Sequence, residues 1–193
     1  MLLLLLLGCP GDSKSAGGDT AAGPTCDTAG SDLPPACSCD DPAVEVGGGQ
    51  DTFASVAEGS DATMVHGPQG GWHVLGSARM SFMDDIVSIH YTITVEPEGV
   101  TVSDNTYRVQ MVKDEECSGY YPGMYGYLDV TDLVDGDLDT PPELLADKEL
   151  RLRMEVTDLA ARTAADELNV IAALDPMDVP HDTGPDTGGD TGP

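Results

Sequence analysis

The sequence predicts an all-β fold, an immunoglobulin-like or related Greek-key antiparallel β-sandwich of seven to eight strands. Three observations carry that prediction. The stretch IVSIHYTITVEPEG alternates strictly, with Val87, Ile89, Tyr91, Ile93 and Val95 on one face and Ser88, His90, Thr92 and Thr94 on the other. Period-2 alternation of β-branched and aromatic residues marks a strand with one buried face. Several more such runs, separated by turn residues, fill about 130 residues between two low-complexity ends, which is the spacing of a sandwich. Helical signals are few: residues 142–148 suit one turn, and 159–168 fits helix or strand equally.

In chain order, short strand candidates lie at residues 52–56 and 62–66. Trp72, Val74, Ala78, Met80 and Phe82 form the next alternating run. The run from Val87 to Val95 follows, and Pro97-Glu98-Gly99 turns the chain into Val-Thr-Val. Tyr107, Val109 and Met111 alternate again, as do Tyr125 and Tyr127. Leu150, Leu152, Met154 and Val156 make a further strand. A turn at 158–162 leads to Leu168, Val170, Ala172 and Leu174. A chain of this length buries a sufficient core.

The composition divides the 193 residues into four parts. Residues 1–8 read as a signal segment and 46–175 as the β-domain. Residues 9–45 are Gly, Pro, Ser, Thr, Ala and Asp with hardly any large apolar side chain. They bury too little surface to offset ordering entropy and read as a flexible acidic linker. Residues 176–193 repeat Asp-Thr-Gly at 182–184, 186–188 and 190–192 and read as a disordered tail. Asp-Thr-Gly is also the nucleophile motif of aspartic proteases. That chemistry needs a packed apolar setting, which glycines and prolines do not supply.

Acidic residues outnumber basic ones by 35 to 8, for a net charge of −27, and 25 acidic against 7 basic residues fall within 44–175. Such a surface repels phosphate backbones, so nucleic acid is excluded as a partner. The same field attracts cations and basic partners.

Leu2 to Leu7 are too few for a membrane span, which takes about 20 apolar residues. They suit the apolar region of a secretory signal. Leu6-Leu7-Gly8-Cys9 resembles a bacterial lipobox, and the resemblance implies cleavage before Cys9, a lipid on that cysteine and a membrane anchor. Cys26, Cys37, Cys39 and Cys117 then remain, an even number in an oxidising compartment, which favours disulfides. Four cysteines allow three pairings. Cys37–Cys39 would close a very small ring, so one of these two is expected to pair with Cys117 and the other with Cys26. A thiolate metal site is disfavoured because Cys-Ser-Cys lacks the two-residue spacer of zinc ligand pairs.

Three segments hold candidate contact residues. HGPQGGWH, residues 66–73, carries His66, His73 and the single Trp72. With Val65 and Trp72 turned inward, alternation sends both histidines outward across a five-residue loop. Imidazoles with Met64, Met80 and Met83 nearby would make a copper or zinc set, although such a site needs three or four converging ligands. The simpler account is loop punctuation beside a core tryptophan. CSGYYPGMYGY, residues 117–127, carries four of the six tyrosines. Tyrosines on a Gly/Pro-rich loop offer rigid contact surface for a glycan or peptide, with Tyr120 and Tyr121 the free pair. The alternative places Tyr125 and Tyr127 on a strand, one of them as a corner tyrosine. DVTDLVDGDLDTPPEL spaces Asp135, Asp137 and Asp139 like a calcium loop. An EF-hand needs glycine and glutamate where Thr140 and Ala146 stand, so that match fails, leaving a non-EF calcium site or a solvated loop.

No nucleophile elbow, zincin helix or phosphate loop is present. The lipobox-like start, acidic linker, β-domain and Asp-Thr-Gly tail together resemble acidic surface lipoproteins of myxobacterial type. That resemblance implies an outer-membrane or cell-surface location and no particular activity. The reading is a lipid-anchored, non-catalytic binding module for a protein or glycan, needing no cofactor. A metal-handling protein using His66 and His73, or a hydrolase, are the alternatives.

Overall fold

The computed structural model describes residue 37 and residues 40–67, 70–133 and 140–176. Ten strands follow one another: β1 (Ala43–Gly48), β2 (Ala54–Ser55), β3 (Asp61–His66), β4 (Trp72–Ser81), β5 (Ile86–Glu96), β6 (Val100–Gln110), β7 (Val112–Glu115), β8 (Ser118–Tyr127), β9 (Glu149–Asp158) and β10 (Thr163–Leu174). A 3-10 turn (Thr131–Leu133) and a short helix α1 (Pro141–Leu145) lie between β8 and β9. The all-β expectation holds. Ten strands replace the expected seven to eight, and β3 runs parallel to β10 while every other described pair is antiparallel.

The extra strands lack the pattern that betrays a strand. β1 contributes only Val44 and Val46 as large apolar residues, and β7 is exposed throughout. The larger correction concerns residues 118–127, expected as a loop as far as Tyr125. They form one continuous strand despite three glycines and a proline, because β4 pairs with them from Ser81–Ser118 to His73–Tyr127.

The sheet runs β2-β1-β4-β3-β10-β9-β5-β6, with β8 on the other edge of β4. β1 and β3 lie end to end along β4, pairing with residues 77–81 and 72–74. The sheet curls until its ends meet. The Asp129 N–H donates to the Val102 carbonyl at 2.7 Å, and the Tyr107 hydroxyl donates to the Tyr125 carbonyl at 2.5 Å.

The core lies between the two halves of this curl. Val87, Ile89, Tyr91, Ile93 and Val95 are all buried, as their alternation predicts. Register sets Ile89 opposite Val156, Tyr91 opposite Met154, Ile93 opposite Leu152 and Val95 opposite Leu150. Each such side chain contributes roughly 1.5–3 kcal/mol by leaving water. The β4–β8 half receives them with glycine. A Cβ on Gly126 would stand 2.4 Å from Ile93 Cδ1, and one on Gly76 would stand 2.8 Å from Tyr91 Cζ. The slot admits the Tyr91 ring and leaves its buried hydroxyl without a hydrogen-bond partner. Met64, Met80 and Met83 fill the same core, adaptable gap-fillers rather than surface thioethers.

Two devices close the end of the sheet where β4 finishes. Cys37 and Cys117 form a disulfide, Cα atoms 5.4 Å apart, joining the start of the domain to the β7–β8 turn. This agrees with the expected pairing of Cys37 or Cys39 with Cys117; Cys9, Cys26 and Cys39 lie outside the described residues. In the β9–β10 turn, Arg162 donates from Nε and Nη2 to buried Asp158 at 2.9 and 2.7 Å. No helix among the described residues is long and apolar enough to cross a membrane.

Candidate functional site

The opposite end of the sheet carries the aromatic residues. The β3–β4 connection is closed by a hydrogen bond from the Gly67 N–H to the Gly71 carbonyl, 2.9 Å. Gly70 and Gly71 take positive φ there, +83° and +86°, a region most side chains avoid. Register places His66 opposite Trp72 and His73 opposite Val65. Directly opposed residues share a face and neighbours along a strand do not. The two histidines therefore occupy opposite faces.

His66 packs against Trp72 with ring centroids 4.9 Å apart and planes tilted by 43°, and stays exposed, while Trp72 packs partly against the core. It is Met64 and Val74 that point inward; Val65 lies on the other face, against the sequence expectation. His73 also departs from it. It lies on the outer face of β4 yet is only 4% exposed, because β8 lays tyrosines over it. Its ring meets Tyr125 edge-on at 4.7 Å and Tyr127 at 6.2 Å. Its Nδ1 has no hydrogen-bond partner. Burial, and then the neighbouring His66, hold the His73 imidazole below its ordinary pKa, so it stays neutral. Among the described residues no three His, Cys, Asp or Glu side chains converge as a metal would need.

Tyr125 and Tyr127 stack on each other at 5.8 Å with planes 17° apart. They are 43% and 56% exposed, two of the four large apolar side chains most open to solvent among the described residues. Gly126 between them faces Tyr91 and Ile93, so both tyrosines must face outward. Tyr120 and Tyr121, the expected free pair, sit on the same strand half-buried, and Tyr121 packs against the core. Sequence reading missed the exposure of Tyr125 and Tyr127. The Tyr-Gly-Tyr triplet was the available signal, since a glycine on the core face displaces bulk to the other side.

Beside Tyr127, between β6 and the 3-10 turn, lies a recess of about 290 Å³ lined by Asp104, Asn105, Asp129 and Asp132 among others. Asp129 accepts from the Thr131 hydroxyl at 2.7 Å and from its N–H at 3.1 Å. These bonds lower its pKa and keep it ionised. Asp104 accepts from His90 Nε2 at 2.8 Å. A second cleft, more apolar and about 250 Å³, opens where β1 and β3 part along β4, over Leu75, Leu152 and Leu168. Asp135, Asp137 and Asp139 lie outside the described residues.

No family model matches the chain, and no curated protein matches it in sequence. Among solved structures, the CooA pilin subunit from enterotoxigenic Escherichia coli is similar over 69% of this chain and 99% of its own, with a TM-score of 0.34 and 10% identity. A likeness of that size carries no argument about fold or function.

Proposed function

We propose that this chain is a non-catalytic interaction module of a bacterial envelope, anchored by a lipid on Cys9 and meeting a protein or glycan partner with the Tyr125–Tyr127 face. One observation carries the reading: a stacked, exposed tyrosine pair stands at the end of the sheet opposite the point where the N-terminal segment joins it. Ala43, Ser81 and Ser118 are register neighbours at the Cys37–Cys117 end, and Val65, His73 and Tyr127 at the other. The ten residues of β4 separate the ends by about 30 Å. The chain therefore enters the body, at Cys37, at the end away from the tyrosines. Tyrosine suits such a face because it offers large amphipathic area with little conformational freedom to lose.

The test is a photo-crosslinking amino acid placed at Tyr127 or at Leu159 in cells of the source organism. Leu159 is equally exposed, 51%, but lies at the disulfide end. A discrete covalent adduct from position 127 alone is expected. Identical adducts from both positions, or none from either, would overturn the proposal. Intact mass of the membrane-extracted protein reports the Cys9 acyl group separately.

A further inference from the structure

We infer that β6 is a docking edge for a second copy of this chain, the two β6 strands pairing antiparallel about a two-fold axis at Thr106. The inference goes beyond the proposed function and does not rest on the tyrosine face. β6 meets β8 through the Asp129–Val102 and Tyr107–Tyr125 hydrogen bonds without a strand ladder, and it pairs with β5 alone among the described strands. The Met111 N–H donates to the Asp85 carbonyl at 2.8 Å, and the register then runs unbroken from Ile86–Gln110 to Ile93–Ser103. Main-chain groups alternate in direction along a strand, so the odd-numbered residues of β6 bond to β5. Those of Asp104, Thr106, Arg108 and Gln110 face the open edge, and the same four side chains are exposed.

Free edges are normally guarded by lysine, proline, a bulge or brevity. β2 is two residues long, and β7 carries Lys113, Asp114 and Glu115. From 104 to 110 β6 has no lysine, proline, glycine or bulge, and its two charged residues are of opposite sign. Their spacing is self-complementary. With the axis at Thr106, Asp104 stands directly opposite the partner's Arg108, Cα atoms about 5.5 Å apart, in a pair whose main-chain groups bond to each other. About six main-chain hydrogen bonds and two ion pairs then form, with the two Thr106 side chains adjacent. Centring the pair on Asp104 or on Arg108 instead sets like charges face to face.

Both charges are available for this contact. Arg79, Lys113, Lys148, Arg151, Arg153 and Arg162 each sit in an ion pair, and Arg108 alone of the described lysines and arginines does not. Asp104 accepts from His90 Nε2 through Oδ1 at 2.8 Å, yet its side chain stays 68% exposed, leaving Oδ2 for a guanidinium. His90 lies on β5, so it approaches Asp104 from the side away from the open edge. A net charge of −27 on each copy opposes association. Charges farther apart than about 8 Å are screened at physiological ionic strength, whereas the contact itself joins opposite signs. One strand pair is smaller than the standard interface of about 1,600 Å², so the dimer is weak and forms at high local concentration.

The test is sedimentation equilibrium of the full polypeptide, free thiols alkylated, in about 0.15 M NaCl over a rising protein concentration. A monomer–dimer equilibrium is expected. Arg108→Asp sets aspartate opposite aspartate and Asp104→Arg sets arginine opposite arginine, so each alone should weaken dimerisation about 10-fold or more. Mixing the two single variants should restore association as a heterodimer, and the double variant Asp104→Arg/Arg108→Asp should dimerise by itself. Thr106→Pro removes an N–H that faces the open edge, so it should abolish the dimer while circular dichroism shows the fold intact. The charge variants decide the matter if Thr106→Pro fails to fold. A parent chain that stays monomeric at every concentration overturns the inference, whether its edge is bare or covered by another part of the chain. A dimer that survives both single charge variants overturns it in favour of a different surface. Single variants that fail to associate when mixed overturn the register. A dimer lost in Tyr127→Leu but kept in Arg108→Asp overturns the edge in favour of the tyrosine face.

Discussion

The two halves of the curled sheet reach the same core by opposite means. β5 and β9 supply bulk in strict alternation, each large side chain facing another across the register. β4 and β8 supply vacancies: Gly76 and Gly126 stand where a Cβ would collide with Tyr91, Ile93 or Met154. The first half is regular and self-explanatory. The second is shaped by what it must receive, and the bulk excluded from its inner face reappears outside as the Tyr125–Tyr127 shelf. A binding surface on this molecule is thus partly a by-product of core packing.

The largest effect should come from the staple on the glycine-bearing half. Cys117→Ser opens a disulfide spanning 80 residues in sequence. The chain-entropy model gives a loss of about 4 kcal/mol, readable as a drop in the denaturant midpoint. Next, Gly126→Ala pushes a methyl against Ile93 and Tyr91 and should cost about 1–3 kcal/mol. It should also disturb the outward tyrosines, visible as a change in the near-ultraviolet circular dichroism. If Gly126→Ala is neutral, the two halves do not interlock as described.

Tyr91→Phe sharpens the comparison in the opposite direction. The hydroxyl is buried without a partner, so deleting it should stabilise the fold by about 1 kcal/mol. Destabilisation would mean the hydroxyl is satisfied. The smallest effect is a pH slope from His73. Its folded pKa lies below the ordinary 6.5, so the unfolded chain binds more protons there. Stability should fall as pH drops through 6.5 towards the folded value, then level off. His73→Phe should remove that portion of the slope, measured as unfolding free energy at intervals between pH 7.5 and 5.

Alternation by itself determined that this chain is a β protein, and it named the buried residues of β5, β9 and β10. A period-2 pattern is written into side chains that local backbone geometry alone sends to opposite faces. The Cys37–Cys117 pairing was half legible, since only ring size and an even count constrained it. The parallel β3–β10 pair, the strand character of residues 118–124 and the exposure of Tyr125 and Tyr127 were decided by tertiary structure. Glycine has no side chain with which to state a face, so Tyr-Gly-Tyr is silent until Tyr91 arrives from across the core. The separation of His66 from His73 was decided there too, because a register one residue away would have reversed every face on β3.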